Sequence, residues 1–160
     1  MIRLLQVLTI LINITLFPVW LKADESYIPI LVPVTGFLSL EGTAQRNGAI
    51  QALDKAPINL NIKYEVSDTA TSPEVAVTAL HRALSRGQPA AIAAPIFGTQ
   101  MLAMLPIAKR ARVPLITVSG TAKLTELNNP FIFRFFPGDS VVKVAHARYI
   151  HEVLGAKRPA

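Results

Sequence analysis

Short apolar runs and amphipathic helical stretches alternate along this chain from residue 29 to residue 154, and that alternation limits the fold more than any other feature. Residues 29–34 (PILVPV) are an apolar run that ends at Pro33, Thr35 and Gly36. Residues 40–56 have helical composition, with Leu40, Ala44, Gly48, Ala49, Ala52, Leu53 and Ala56 on one side and Pro57 and Asn59 closing the segment. Residues 60–66 set Leu60, Ile62, Tyr64 and Val66 against Asn61, Lys63 and Glu65, the period of a half-buried strand. Ser72 precedes Pro73, a helix-start pair, and the stretch 73–86 aligns Ala76, Ala79, Leu80, Ala83 and Leu84 before Gly87 stops it. The pattern continues with a strand at 90–94 and a helix at 98–112 carrying Leu102, Leu105, Ile107, Ala108 and Ala111. Strands follow at 113–118 and 131–136, then a helix at 139–154 capped by Asp139 or Ser140 and ended by Gly155. The order β-α-β-α-β-α-β-loop-β-α predicts an α/β, doubly wound fold with a mostly parallel sheet.

Composition excludes several classes of function. The chain has no cysteine, so a disulfide scaffold, a thiolate zinc site, a thiol nucleophile and a lipid-modified N-terminal cysteine are all ruled out. Its 3 histidines, His81, His146 and His151, argue against an all-protein transition-metal site. His81 sits mid-helix, and His146 and His151 are five apart, the wrong spacing for a shared helix-face site. Ser119 lacks a flanking G-x-S-x-G, and no histidine stands near a strand end. The sequence therefore offers no convincing nucleophile–base pair, no metal site and no cofactor motif.

Residues 1–23 (MIRLLQVLTILINITLFPVWLKA) carry Arg3 near the start, an apolar stretch, and Ala23 before Asp24 and Glu25. That is the order of a secretory signal peptide; an uncleaved anchor is the competing reading. Removing 1–23 takes away Arg3 and Lys22 and no acid, so the formal charge of +6 falls to +4. The remaining cations are dispersed. Only Lys109–Arg112 and Lys157–Arg158 cluster, near helix C-termini where cations complement the dipole. No nucleic-acid partner is expected.

In open parallel sheets, ligands sit beyond the strand C-termini. The loop after the first strand, residues 33–42, holds Gly36 and Gly42 without a phosphate-cradling pattern, and Glu41 stands where it can reach the crevice. The loop after the third strand, Pro95-Ile96-Phe97-Gly98-Thr99-Gln100, opens a helix whose free N–H groups suit a carboxylate. The loop after the fourth, Ser119-Gly120-Thr121-Ala122, offers hydroxyls and carbonyls to an ammonium or a carboxylate oxygen. Asp68 ends the second strand, placed to cap or to bridge to the neighbouring loop.

Four segments carry a family resemblance: VPVTGFLSLEGTAQRNGAIQAL, VSDTATSPEVAVTALHRALSRG, AAIAAPIFGTQMLAMLPIAKRARVPLITVSGTAKLTELNNPFIFRFFPGD and YIHEVLGAKR. Together they resemble the N-terminal lobe of type I periplasmic binding proteins, in the leucine/isoleucine/valine-binding group that feeds ABC transporters. The resemblance implies a single Rossmann-like lobe of a two-lobe receptor and no enzymatic activity. It implies a periplasmic location, an ABC permease as partner, and a small-molecule ligand, an amino acid or amide. It places the ligand's carboxylate and ammonium at Phe97, Gly98, Thr99, Gly120 and Thr121, with Leu40 and Glu41 lying over the ligand. Two departures bear on the ligand. Serine is common in the family where Gly98 stands, and proline or serine and alanine are frequent around Val118-Ser119-Gly120. Relatives with this fold take amides, urea or aromatic acids.

Members of the group are usually more than twice as long, so the expectation is a signal peptide at 1–23 and a truncated N-terminal lobe at 24–160, the C-terminal lobe absent. Two alternatives follow from that expectation. One is a non-functional gene remnant. The other is a ligand-sensing module that docks a partner, or self-associates, through apolar surface left uncovered.

Overall fold

The computed structural model describes residues 25–157; the expected signal segment, 1–23, lies outside the described residues. Five parallel strands form one sheet in the order β2-β1-β3-β4-β5. They are β1 (Ser26–Val32), β2 (Ile62–Asp68), β3 (Ile92–Ala93), β4 (Leu115–Thr117) and β5 (Ile132–Arg134). The helices are α1 (Ser39–Asp54), α2 (Pro73–Arg86), α3 (Gly98–Ala111), α4 (Lys123–Glu126) and α5 (Asp139–Arg148), which runs on into a π-helical turn at Tyr149–Val153. A 3-10 turn, Ile58–Leu60, leads into β2. The α/β doubly wound architecture is the one the alternation predicts. Every strand pair is parallel, and the strand order reverses between β1 and β3.

Side chains alternate across the sheet, and the two faces are covered unequally. One face presents Leu31, Ile92, Ala94 and Leu115 to α2 and α3, which supply Ala76, Ala79, Leu80, Ala83, Met101, Met104, Leu105 and Ala108. All of these are buried, and α2 and α3 pack on each other as well as on the sheet. Ser72 starts α2 as expected: its hydroxyl accepts from Val75 N at 3.3 Å, and Pro73 occupies the first turn. The other face carries α1, which packs on β1 and β2. It leaves Ile116 on β4 and Phe133 on β5 roughly half exposed, at 41% and 47%. These two residues are in register across the β4–β5 pair.

Several expectations need correction. The strands at both edges of the prediction shift: β1 begins at Ser26 and stops at Val32, while β2 begins at Ile62 and runs on to Asp68. The alternation in β2 fails at Val66, which is 40% exposed, because β2 is an edge strand. The expected apolar side of α1 is not buried. Gly42 is its one buried residue, and Leu40 is 79% exposed. Small alanines and a glycine cannot fill the gap between α1 and the open half of the sheet. Neither Asp139 nor Ser140 caps α5; its N-cap is Gly138, with no side-chain hydrogen bond. α5 buries none of its residues.

α3 contains Pro106, exposed on the outer side of the helix. Proline cannot donate to the carbonyl one turn back, yet the helix continues to Ala111 because its inner face is anchored in the core. Pro106→Ala restores that donor. It should raise unfolding free energy by about 1 kcal/mol or more in urea titration, whereas Leu80→Ala, at a fully buried site, should lower it by roughly 2–5 kcal/mol.

Candidate functional site

Because every strand is parallel, the loops after β1, β2, β3, β4 and β5 emerge at one edge. Asp68, the last residue of β2, organises the first two. Its Oδ1 accepts from Val34 N (2.8 Å), Thr35 N (3.1 Å) and Ala70 N (2.8 Å), and its Oδ2 from the Thr35 hydroxyl (2.6 Å). Burial pushes the Asp68 pKa up, but the hydrogen bonds from Thr35, Ala70 and Val34 outweigh it and hold the carboxyl below its ordinary value. Asp68 thus bridges to the neighbouring loop, one of the two roles its position suggested. Gly36, at φ +87°, passes so close to Ala70 O and the Thr71 side chain that no other residue fits. Thr71 Oγ1 donates to Thr35 O at 3.0 Å and closes the same contact from the other side.

Gln100, fully buried in the first turn of α3, ties that helix to the β2 loop. Its Nε2 donates to Thr69 O (2.9 Å) and Ser72 O (3.1 Å), and the Thr69 hydroxyl donates to its Oε1 (3.3 Å). Thr117 ends β4 and donates to Pro95 O at 2.8 Å while accepting from Ser119 N at 3.0 Å. The rings of Phe37 and Phe97 meet edge to face with centroids 5.3 Å apart, which joins the first loop to the start of α3.

Among the expected site residues, Phe97, Gly98 and Thr121 come together. Phe97 is the N-cap of α3 and makes no side-chain cap, so the first-turn N–H groups have no side-chain acceptor. Gly98 is buried under Thr121, whose hydroxyl and Cβ occupy the space a side chain at 98 would need. Thr99 is exposed beside them. Gly120 is covered in the same way by the Asp139 carboxylate, and Asp139 N donates to Gly120 O at 2.6 Å. The Asp139 carboxylate has no hydrogen bond or ion pair among the described residues. The sequence pattern makes Asp139 or Ser140 the helix cap; Asp139 instead lies against Gly120, a contact between positions nineteen residues apart. Arg134 Nη1 donates to Thr121 O at 3.1 Å and Nη2 to Thr125 Oγ1 at 3.3 Å, which holds the β4 loop. Leu40 and Glu41 lie on the exposed first turn of α1.

A groove of about 600 Å³ runs from this edge along the open sheet face, between α1 (Glu41, Ala44, Gly48) and Ala93, Ile116 and Phe135. Of the expected site residues, Glu41 lines it. Gln45 spans it, with Nε2 donating to Ala94 O at 2.6 Å and Oε1 buried without a partner among the described residues. The Ser119 hydroxyl is likewise buried and unpartnered. Among the described residues no cluster of three His, Cys, Asp or Glu side chains could hold a metal. No described helix is long and apolar enough to cross a membrane.

The uncapped start of α3, the hydroxyls of the β3 and β4 loops and the Asp139 carboxylate thus lie at one edge of a parallel lobe. Residues 25–160 match the family model described as periplasmic binding protein, and the chain belongs to that family. Its fold is similar to the leucine-binding protein LivK of Thermotoga maritima (27% identity, TM-score 0.77), covering 83% of this chain and 39% of that one. It is also similar to the branched-chain amino acid transporter substrate-binding protein LivJ of Streptococcus pneumoniae, solved with isoleucine (23% identity, TM-score 0.75; 84% of this chain, 40% of that one). A third likeness is the solute-binding protein of an ABC transporter from Rhodopseudomonas palustris BisB5, solved with 3,4-dihydroxybenzoic acid (25% identity, TM-score 0.62; 69% and 31%). No curated protein matches the chain. The chain therefore spans about two fifths of the length of LivK and LivJ and corresponds to their N-terminal lobe.

Two outcomes test this geometry. Asp68→Asn keeps one acceptor oxygen and loses the other, and should cost about 1–3 kcal/mol at neutral pH. Because the folded Asp68 pKa is depressed, that margin over the variant is full above the unfolded carboxyl pKa and vanishes as pH falls through the folded value; urea titrations from pH 7 downward measure it. Gly98→Ala should destabilise the lobe by roughly 1–3 kcal/mol through overpacking, and adding Thr121→Ala should recover only part of the loss in the same assay, because the Cβ of residue 121 still crowds the new methyl.

Proposed function

We propose that residues 24–160 are the N-terminal ligand-binding lobe of a substrate-binding protein serving an ABC uptake system, with residues 1–23 as its export signal and the periplasm as its location. The ligand is a small amino acid, of the branched-chain class or close to it. The observation that carries this reading is the pairing of an uncapped α3 start, beside Thr121, with the unpartnered Asp139 carboxylate against Gly120. A carboxylate at the N–H groups of Gly98, Thr99 and Gln100 gains the helix dipole and the Thr99 and Thr121 hydroxyls. An ammonium a few ångströms away gains Asp139. Phe97, Leu40 and Glu41 border the entrance. The permease is the partner that receives the ligand. The isoleucine held by the pneumococcal relative is consistent with this class. A lobe acting alone leaves one side of the ligand in water, so affinity is weak, because half the contacts must meet the full cost of immobilising the ligand.

Amide NMR titration of the chain separates the components. L-Isoleucine and 3,4-dihydroxybenzoate should both shift the Gly98, Thr99 and Thr121 amides, since both carry a carboxylate. Asp139→Asn should weaken L-isoleucine by roughly tenfold, one charge-assisted hydrogen bond, and leave 3,4-dihydroxybenzoate unchanged. No shift at Gly98–Gln100 with either probe would overturn the carboxylate site. Equal losses for both probes would remove Asp139 from ammonium recognition.

A further inference from the structure

We propose that Asp68 is a positioning residue for the ligand site. Through Thr35 and Gly36 it fixes the Phe37 ring against Phe97, and that ring pair is the apolar wall that selects a branched aliphatic side chain on the ligand. This rests on the placement of the ligand's carboxylate at the start of α3, and it adds the residues that set side-chain preference there.

The Phe37 backbone has little freedom. Thr35 is bound at three points: its N–H and its hydroxyl donate to the two oxygens of Asp68 (3.1 and 2.6 Å), and its carbonyl accepts from Thr71 Oγ1 (3.0 Å). Leu38, on the other side, donates its N–H to the same Thr71 oxygen at 3.4 Å. Gly36 and Phe37 lie between these anchors, with Gly36 at φ +87°. Both neighbours of the Gly36-Phe37 pair are thus tied to the β2 loop, and the Phe37 ring keeps only its side-chain torsions. It meets Phe97 edge to face, with centroids 5.3 Å apart.

The β2 loop is bent to make these contacts. Ala70 and Thr71 both hold the left-handed region, at φ +48° and +54°. That region is unfavourable for a residue with a Cβ, and most of all for a β-branched one such as Thr71. Such strain persists only where surrounding contacts over-determine it. Here the contacts are Asp68 Oδ1 with Ala70 N (2.8 Å) and Thr71 Oγ1 with Thr35 and Leu38. The start of α2 is already provided by Ser72 and Pro73, so what the strained pair secures is the grip on the β1 loop.

Phe97 immediately precedes the N–H groups of Gly98, Thr99 and Gln100. A carboxylate on those groups lies just beyond the helix end, so the rest of the ligand passes beside residue 97 and the ring packed on it. The two rings stand at 86° and form a corner rather than a parallel slot. A corner seats a branched aliphatic group against both rings, whereas a flat ring stacks on one. The same anchors set the start of α1: Ser39 N donates to Gly36 O (3.2 Å) and Gly42 N to Leu38 O (2.9 Å), which fixes the turn carrying Leu40 and Glu41. Asp68 acts on the ligand through the ring and not by touching it.

NMR titration of the 160-residue chain tests this, with L-isoleucine and L-alanine as probes. The two share the carboxylate and the ammonium and differ only in the side chain. Phe37→Ala should weaken L-isoleucine about fivefold, the worth of one aromatic contact, and leave L-alanine unchanged. Asp68→Asn should weaken L-isoleucine by a similar factor when Phe37 is present and add less than about twofold to Phe37→Ala, because its effect runs through the ring. Thr35→Val, which deletes the hydroxyl bonded to Asp68 and Thr35 alone, replaces Asp68→Asn if that variant fails to fold, and Thr35→Ser should restore the original preference. In the ligand-free chain, Asp68→Asn should move the Phe97 ring protons in the same direction as Phe37→Ala, since both withdraw the neighbouring ring. Unmoved Phe97 protons overturn the positioning role whether or not a ligand binds. Equal losses for the two amino acids, or losses that add in the double variant, overturn the selecting wall. If the parent chain binds neither amino acid while the Phe97 protons respond to Asp68→Asn, the carboxylate site itself fails and the selecting wall with it, and the positioning of Phe37 by Asp68 stands.

Discussion

All the strands of a parallel sheet end at one edge, and the backbone groups freed there must find partners inside the protein or in water. In this chain three side chains satisfy many of them. Asp68 takes three N–H groups and a hydroxyl, Gln100 takes two carbonyls, and Thr117 takes one carbonyl and one N–H. Each links the loop of one strand to that of another. The edge is consequently a fixed surface, and the start of α3 is held in place although nothing caps it. The Gln100 side chain, in that first turn, anchors the helix start to the β2 loop.

The parts of the fold that depend on local periodicity were legible in the sequence. The stripe Ala76, Ala79, Leu80 and Ala83 is buried as its spacing implies, and Ser72 and Pro73 start the helix. The parallel topology follows from the alternation of strands and helices. Features set by contacts between distant segments were not legible. Thr121 over Gly98 and Asp139 over Gly120 join residues 23 and 19 positions apart, and no local pattern marks either pair. Glycine at 98 reads locally as a turn residue, yet it is required because Thr121 fills the volume a side chain would take. α1 misled for the opposite reason. Its expected apolar side is mostly alanine and glycine and forms no marked stripe, and half of the sheet it faces is open.

That inequality between the two faces accounts for both the groove and the exposure of Ile116 and Phe133. α2 and α3 meet one face with large side chains, Leu80, Met101, Met104 and Leu105, and close it completely. α1 meets the other with Ala44, Gly48 and Ala49, which are too small to reach Ile116 or Phe133. Cooperative folding still has one complete layered core to rest on, because sheet, α2 and α3 form a two-layer unit without the other face. The loop edge rests on that closed half, through Gln100 and Thr117. Polar interlock at the strand ends and apolar exposure along β4 and β5 are separate features of one topology: the parallel sheet brings its loops together at one edge, and among the described residues only small side chains of α1 face Ile116 on its open side.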